Sequence, residues 1–161
     1  MDGERIEGEG WTLEAVATPG HTSNHLCFAL AGTGALFTGD HVMGWSTTVV
    51  FPPDGDMAAY MASLHKLRGR QDRVYYPAHG PAVTKPQQYL RGLIGHRMQR
   101  EKQILRLLQE SALEIPDIVA SAYPGLDLRL VTAAGGSVHA HLLDLEARGL
   151  VEQTGEQWTK R

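Results

Sequence analysis

Cysteine is almost missing from this chain. Cys27 is the only one in 161 residues, so no disulfide can close within the chain and a cysteine-rich zinc module is excluded. Long apolar runs are missing too: none approaches the ~18 residues that a membrane-spanning helix requires. The N-terminus, Met1-Asp2-Gly3-Glu4, is acidic and lacks the basic-then-apolar order of a secretory signal; a cytoplasmic setting is expected. Positive charge is not in excess. Fifteen Lys and Arg against eighteen Asp and Glu leave a formal charge of −3, with no general attraction to nucleic acid or to an anionic membrane. No internal repeat, low-complexity tract or Gly-x-Ser-x-Gly elbow occurs. Gly32-Thr33-Gly34 lacks the lysine and following helix of a phosphate loop and reads as a hairpin turn. The 42% hydrophobic and 20% charged residues are those of an ordinary globular protein, with room for one domain or two small ones.

Three stretches then stand out because they repeat one arrangement. Thr18-Pro19-Gly20-His21-Thr22 follows the alternating run Trp11–Ala17. Pro19 and Gly20 force a turn and throw His21 onto a loop at a strand end. Ala35-Leu36-Phe37-Thr38-Gly39-Asp40 is an apolar run, a glycine, then an acid. Val74-Tyr75-Tyr76-Pro77-Ala78-His79-Gly80 is an apolar run, then a histidine beside a glycine. Each time a short strand delivers one possible metal ligand onto a glycine-bearing loop. Two imidazoles and a carboxylate suit a zinc-type site. A lone histidine before a turn is usually only a polar strand end; three such residues on strand ends of one small domain favour metal.

As a set these stretches resemble the third, fourth and fifth motifs of the metallo-β-lactamase-like hydrolase family. The resemblance covers about residues 11 to 90. It implies that His21, Asp40 and His79 are metal ligands, with Asp40 the catalytic, bridging one between two ions. It implies zinc as cofactor, two ions in the complete enzyme, and ester, thioester or phosphodiester hydrolysis by a metal-bound hydroxide. The family's first metal motif, His-x-His-x-Asp-His, does not occur. Only His139 and His141 have the His-x-His spacing, with Leu143 and Asp144 after them and near the wrong end of the chain. The 161 residues are therefore expected to correspond to the C-terminal half of such a hydrolase, present as a fragment that is inactive alone.

The other histidines are weaker candidates. His25 and His41 either orient a ligand from behind or are plain core or surface residues. His65 and His96 fall in helical patterns and are expected to be solvated. His139 and His141, two apart on a helix, point in different directions. Thr22, Ser23, Thr47 and Thr48 have no base-and-acid order to make any of them a nucleophile; Thr22 is expected to bond locally in its turn.

Along the chain, residues 1–10 are rich in Gly and Glu and are expected to be poorly ordered. Strands are expected at Trp11–Ala17, Leu26–Leu30, 35–38 and 73–76, the middle two forming a hairpin. Asp56 can cap a helix carrying Met57, Tyr60, Met61, Leu64 and Leu67, ended by Gly69. Thr84-x-x-Gln87 fits a capping box, with Pro86 in the first turn of a long helix to about Gln109. A short helix from Pro116 to Ala122, a second capped by Asp127 and ended by Gly149, and a hairpin over Val151–Thr154 and Gln157–Lys160 follow. Helix, helix, helix, hairpin is the order of a winged helix, and it is similar to the C-terminal winged-helix extension of one branch of the family. From 89 to 161 nine Lys and Arg face nine Asp and Glu, which is not the basic footprint of a DNA reader; a lid beside the active-site cleft is the favoured role.

The expected architecture is α/β: the second half of an αββα sandwich over residues 1–88, then a linking helix and a winged-helix-like domain over 89–161. The stretch between Asp40 and His79 holds one loop and one helix, too little for a large inserted domain. The expected partners are a small-molecule ester or thioester, or RNA, with no membrane and no DNA. Self-association is expected through a sheet face that lacks a partner. The competing reading is a nucleic-acid-binding or interaction module with vestigial ligands.

Overall fold

Alternation of small apolar residues builds one sheet. The computed structural model describes residues 1–161. Five strands, β1 (Arg5–Gly8), β2 (Trp11–Ala17), β3 (Leu26–Leu30), β4 (Ala35–Gly39) and β5 (Val74–Pro77), lie side by side in chain order. The first four pair antiparallel, and β5 joins β4 in parallel. The parallel step needs a crossover, and helix α1 (Met57–Arg68) supplies it. Asp56 caps α1 by accepting from the Ala59 amide at 2.7 Å, as expected. Its buried stripe of Met57, Tyr60, Leu64 and Leu67 has the i, i+3, i+7 spacing of a helix face turned to a core.

That stripe meets Val16, Cys27, Ala29, Leu36 and Tyr75 on one face of the sheet, together with Leu90, Leu93 and Ile94 from the first turns of α2 (Pro86–Glu110). The other face has no such cover. The strand register places Leu13 opposite Leu30, Ala15 opposite Phe28, Phe28 opposite Phe37 and Phe37 opposite Tyr76. Phe37, Tyr76 and Ile6 on that side are 42%, 45% and 46% exposed.

The second half of α2 enters a different core. Ile104 and Leu108 meet Ile118 and Val119 of α3 (Ile115–Ala122), Val138, Leu142 and Leu145 of α4 (Val131–Ala147), and Val151 and Trp158 of the hairpin β6 (Val151–Thr154) and β7 (Gln157–Lys160). Leu113 exchanges two backbone hydrogen bonds with Trp158, 3.0 and 2.9 Å, and so adds a one-residue third rung to the hairpin. Asp127 does cap a turn, but a 3-10 turn, Leu128–Leu130, that leads into α4.

Two local expectations are corrected. Residues 1–10 are ordered: a Glu9-Gly10 turn, with Gly10 at φ +79°, folds β1 back onto β2, and the Asp2 carboxylate accepts from the Ala17 amide and from Lys66, both at 2.7 Å. Thr84 does not cap α2. Val83 is tied to Tyr75 by two backbone hydrogen bonds, which holds the chain extended past Thr84. The helix starts at Pro86 without a side-chain cap, and Gln87 donates to the Arg70 carbonyl instead.

Candidate metal centre

Strand direction gathers the three residues. β2 and β4 are both antiparallel to β3, and β5 is parallel to β4, so β2, β4 and β5 run the same way and end at one edge of the sheet. The loops after those ends carry His21, Asp40 and His79. Two close backbone approaches hold the loops there. Gly20 has φ +136°, and a Cβ on it would lie 2.3 Å from Tyr60 Cα; the bare backbone lets the Asp56 amide donate to the Gly20 carbonyl at 2.9 Å. A Cβ on Gly80 would lie 2.9 Å from the Gly44 carbonyl carbon, where the Gly44 amide donates to the His79 carbonyl at 2.8 Å. Gly20 thus lets its loop pack on the first turn of α1, and Gly80 lets its loop pack on the loop at Gly44.

The side chains converge on Asp40. His21 Nε2 lies 3.9 Å from Asp40 Oδ2, and His79 Nε2 lies 3.5 Å from Asp40 Oδ1. Oδ1 is buried and has no hydrogen-bond partner. His21 Nδ1 lies 2.7 Å from the Val49 carbonyl. A carbonyl can only accept, so Nδ1–H is the donor, and in the neutral ring the lone pair lies on Nε2, the nitrogen that faces Asp40. Donor atoms on one tetrahedral zinc sit about 3.3 Å apart, from bonds of about 2.0–2.2 Å. The contacts at 3.5 and 3.9 Å are near that separation but run to different oxygens of Asp40, so the three residues meet without gathering three or more ligands on one ion. The Trp45 ring lies nearly parallel to His79 at 6.5 Å, on the open side.

His25 and His41 lie beneath. His25 is not bonded to His21 or Asp40. Its Nδ1 meets Thr18 Oγ1 at 2.8 Å, and its ring covers Gly39, where a Cβ would come within 2.7 Å of Nε2. It supports the Gly39-Asp40 turn by contact. Burial, then His21 nearby, lowers its pKa. His41 turns away from the cleft. It is fully buried, its ring 4.8 Å from that of Tyr60, and burial, then His25 and His21, push it down to about 3. His65 is solvated as expected, whereas His96 is half-buried. His139 and His141 do diverge: His139 meets Trp158 edge-on at 6.4 Å, and His141 is buried.

What holds the loop after Asp40 has no signature in the sequence. The Thr48 hydroxyl lies 2.5 Å from the Asp40 carbonyl and 3.1 Å from that of His41. Tyr60 donates to the His41 carbonyl at 3.2 Å. Arg97 of α2 donates to the Thr48 carbonyl, one residue before the Val49 carbonyl that orients His21. Phe51, further along the loop, lies against α4 where only a glycine fits: a Cβ on Gly136 would lie 2.1 Å from its ring. The long helix and the tail are therefore connected to the loop whose Val49 carbonyl accepts from His21.

Comparison with known proteins agrees with this architecture. Residues 2–79 match the model of the metallo-beta-lactamase superfamily, and residues 115–158 match that of the beta-lactamase associated winged helix domain. An atrochrysone carboxyl ACP thioesterase of Aspergillus fumigatus is 35% identical over 144 residues, covering 89% of this chain and 44% of its own length. Beta-lactamase-like protein 2 homolog of Caenorhabditis elegans is 35% identical over 152 residues, covering 94% and 50%. The chain thus spans about half the length of the curated relatives it matches. Two crystal structures share its fold over its full length. One is a metallo-beta-lactamase family protein from Thermus thermophilus, with a TM-score of 0.87 at 24% identity and 53% of its chain covered. The other is a beta-lactamase domain protein from Burkholderia ambifaria, with a TM-score of 0.89 at 22% identity and 51% covered. No helix is long and apolar enough to cross a membrane. This α/β chain, with its winged helix at residues 115–158, belongs to the metallo-beta-lactamase superfamily.

Proposed function

We propose that this chain supplies three ligand residues, His21, Asp40 and His79, to the centre of a metal-dependent hydrolase whose substrate is a thioester. The observation that carries the reading is the approach of two imidazole Nε2 atoms to the two carboxylate oxygens of Asp40, one of which, Oδ1, is buried and has no hydrogen-bond partner. A zinc ion held there would polarise the substrate carbonyl and lower the pKa of a bound water. The chain's own residues do the rest. The Val49 carbonyl keeps the lone pair of His21 on Nε2. The Thr48 hydroxyl holds the backbone that follows Asp40, at the Asp40 and His41 carbonyls. The thioester class is supported by the A. fumigatus relative, a thioesterase by name.

The test joins the chain to a segment bearing His-x-His-x-Asp-His, in one polypeptide or in trans, and follows thiol release from an acyl thioester. Release that falls at least about a hundredfold in Asp40→Ala supports the reading, in line with what loss of a major charge-stabilising group costs. Release unchanged by Asp40→Ala and His79→Ala contradicts it.

A further inference from the structure

Two arginines on α2 carry charge that no acid in the chain answers. Arg97 is 3% exposed, and neither it nor Arg100 takes part in any ion pair. Arg97 donates to the Thr48 carbonyl and lies 5.2 Å over the Tyr60 ring, with Nε buried and unpartnered. Arg100 lies 3.7 Å over the Tyr123 ring and donates to the Ala122 carbonyl and to Gln103; its Nε too is buried and unpartnered. Carbonyls and ring faces satisfy hydrogen bonds and polarisation, but they leave the net charge in place. A buried net charge without a counter-charge is expensive.

Both guanidinium groups border cavities. Arg97 and His96 line one of about 250 Å³ together with Ser46, Thr47, Thr48 and Ser137. His96 and Arg100 line a second, of about 140 Å³. No Asp or Glu lines either. The Arg97 guanidinium and the Ser46, Thr47 and Ser137 hydroxyls around the larger cavity, with Arg100 beyond His96 at the smaller one, match an anion with several acceptor oxygens, which is a phosphate rather than a single carboxylate. Leu126 and Leu130 of the tail form an apolar wall of the larger cavity, suited to a group attached to that phosphate.

We propose that this junction between the ligand loop and the winged helix is a phosphate subsite, and that it takes the phosphate of the phosphopantetheine arm that carries a thioester substrate. The second clause rests on the thioester reading above. A phosphate held here touches the loop one residue from the carbonyl that orients His21, so anchoring the carrier and arranging the centre fall to the same segment.

The test uses the 161-residue chain, ¹⁵N-labelled, and follows the arginine Nε–H signals by NMR. The probes are 4′-phosphopantetheine, pantetheine without the phosphate, and inorganic phosphate, at constant ionic strength. Saturable shifts at Arg97 and Arg100 with phosphopantetheine, at least about tenfold tighter than with pantetheine and weakened about tenfold in Arg100→Gln, support the subsite; this is the scale of one charge-assisted hydrogen bond. Arg97 also holds the Thr48 carbonyl, so Arg100→Gln carries the test, with the exposed Arg68→Gln as the silent control. Equal affinity for the two arms, no saturation, or no effect of Arg100→Gln overturns it. Inorganic phosphate binding with no preference for the phosphorylated arm overturns the assignment to a substrate. Phosphopantetheine binding in a protein that releases no thiol from any thioester keeps the subsite and removes the reaction, so the two failures are distinct.

Discussion

The sheet and the tail solve the same problem to different degrees. In the tail, Trp158 is enclosed by two long helices, a short helix and its own hairpin, and a continuous core runs from Ile104 to Val151. In the sheet, α1 and the start of α2 enclose one face, while Phe37, Tyr76 and Ile6 stand about half exposed on the other. His21, Asp40 and His79 sit at the edge of the less finished unit. The finished one reaches back to their loop through Arg97 and through Gly136 against Phe51. Here completeness of a core and possession of the chemistry belong to different parts of the chain, joined by one 25-residue helix.

The largest expected effect breaks the finished unit. Trp158→Ala should cost about 3–5 kcal/mol, the range for deleting a fully buried aromatic side chain. Hydrogen exchange should show protection lost in α3, α4 and the hairpin while β2 to β4 keep theirs. Equal loss in both regions would mean that the two cores do not fold as separate units, against a division near the start of α2.

A paired substitution across the sheet sharpens the contrast. Leu36→Ala, on the covered face, should cost about 2–5 kcal/mol. Phe37→Ala, its neighbour on the open face, should cost well under half of that in denaturant titrations. Phe37→Ser combined with Tyr76→Ser should also reduce self-association of the chain in sedimentation velocity, because an exposed apolar sheet face drives association. A wild-type chain that is monomeric at every concentration would contradict that part.

A smaller effect comes from His141. Burial, reinforced by Arg97 and Arg100 nearby, pushes it down to about 3, so it is neutral in the folded tail. The unfolded chain binds a proton near pH 6.5. Stability contributed by the neutral ring is therefore complete above about pH 6.5 and is lost as the pH falls toward 3. The slope is at most ~1.4 kcal/mol per unit, or about 2 kcal/mol between pH 7 and pH 5. His141→Leu should flatten this part of the profile, measured by urea unfolding at several pH values. An unchanged slope would assign the effect elsewhere.

Much of this was legible before any coordinates. Both hairpins declared themselves by alternation between turn residues, and α1 by a capping Asp56 followed by a helical stripe. His21, Asp40 and His79 stand out because each follows a strand and neighbours a glycine, and the structure explains that signature by close packing: Gly20 on Tyr60 of α1, Gly39 under the His25 ring and Gly80 on the Gly44 loop. Features that depend on distant partners were not legible. Thr84 fits a capping box, but Val83 is committed to Tyr75. His41 beside Asp40 could not be sent to the core from sequence, since the group that buries it is Tyr60, nineteen residues on. Arg97 reads as one more polar helix residue until its partner at Thr48, forty-nine positions earlier, is in place. The strand at Arg5–Gly8 was hidden by a composition that resembles a tail.

The central claim is that His21, Asp40 and His79 form one partial metal site. It is tested most directly by zinc titration of the purified 161-residue chain, read by calorimetry and by competition with a chromophoric chelator. The account predicts a single weak site that is lost in Asp40→Ala and in His21→Ala and is unaffected in the exposed His65→Ala. Two tightly held ions in the same chain, or a site indifferent to Asp40→Ala, would contradict it.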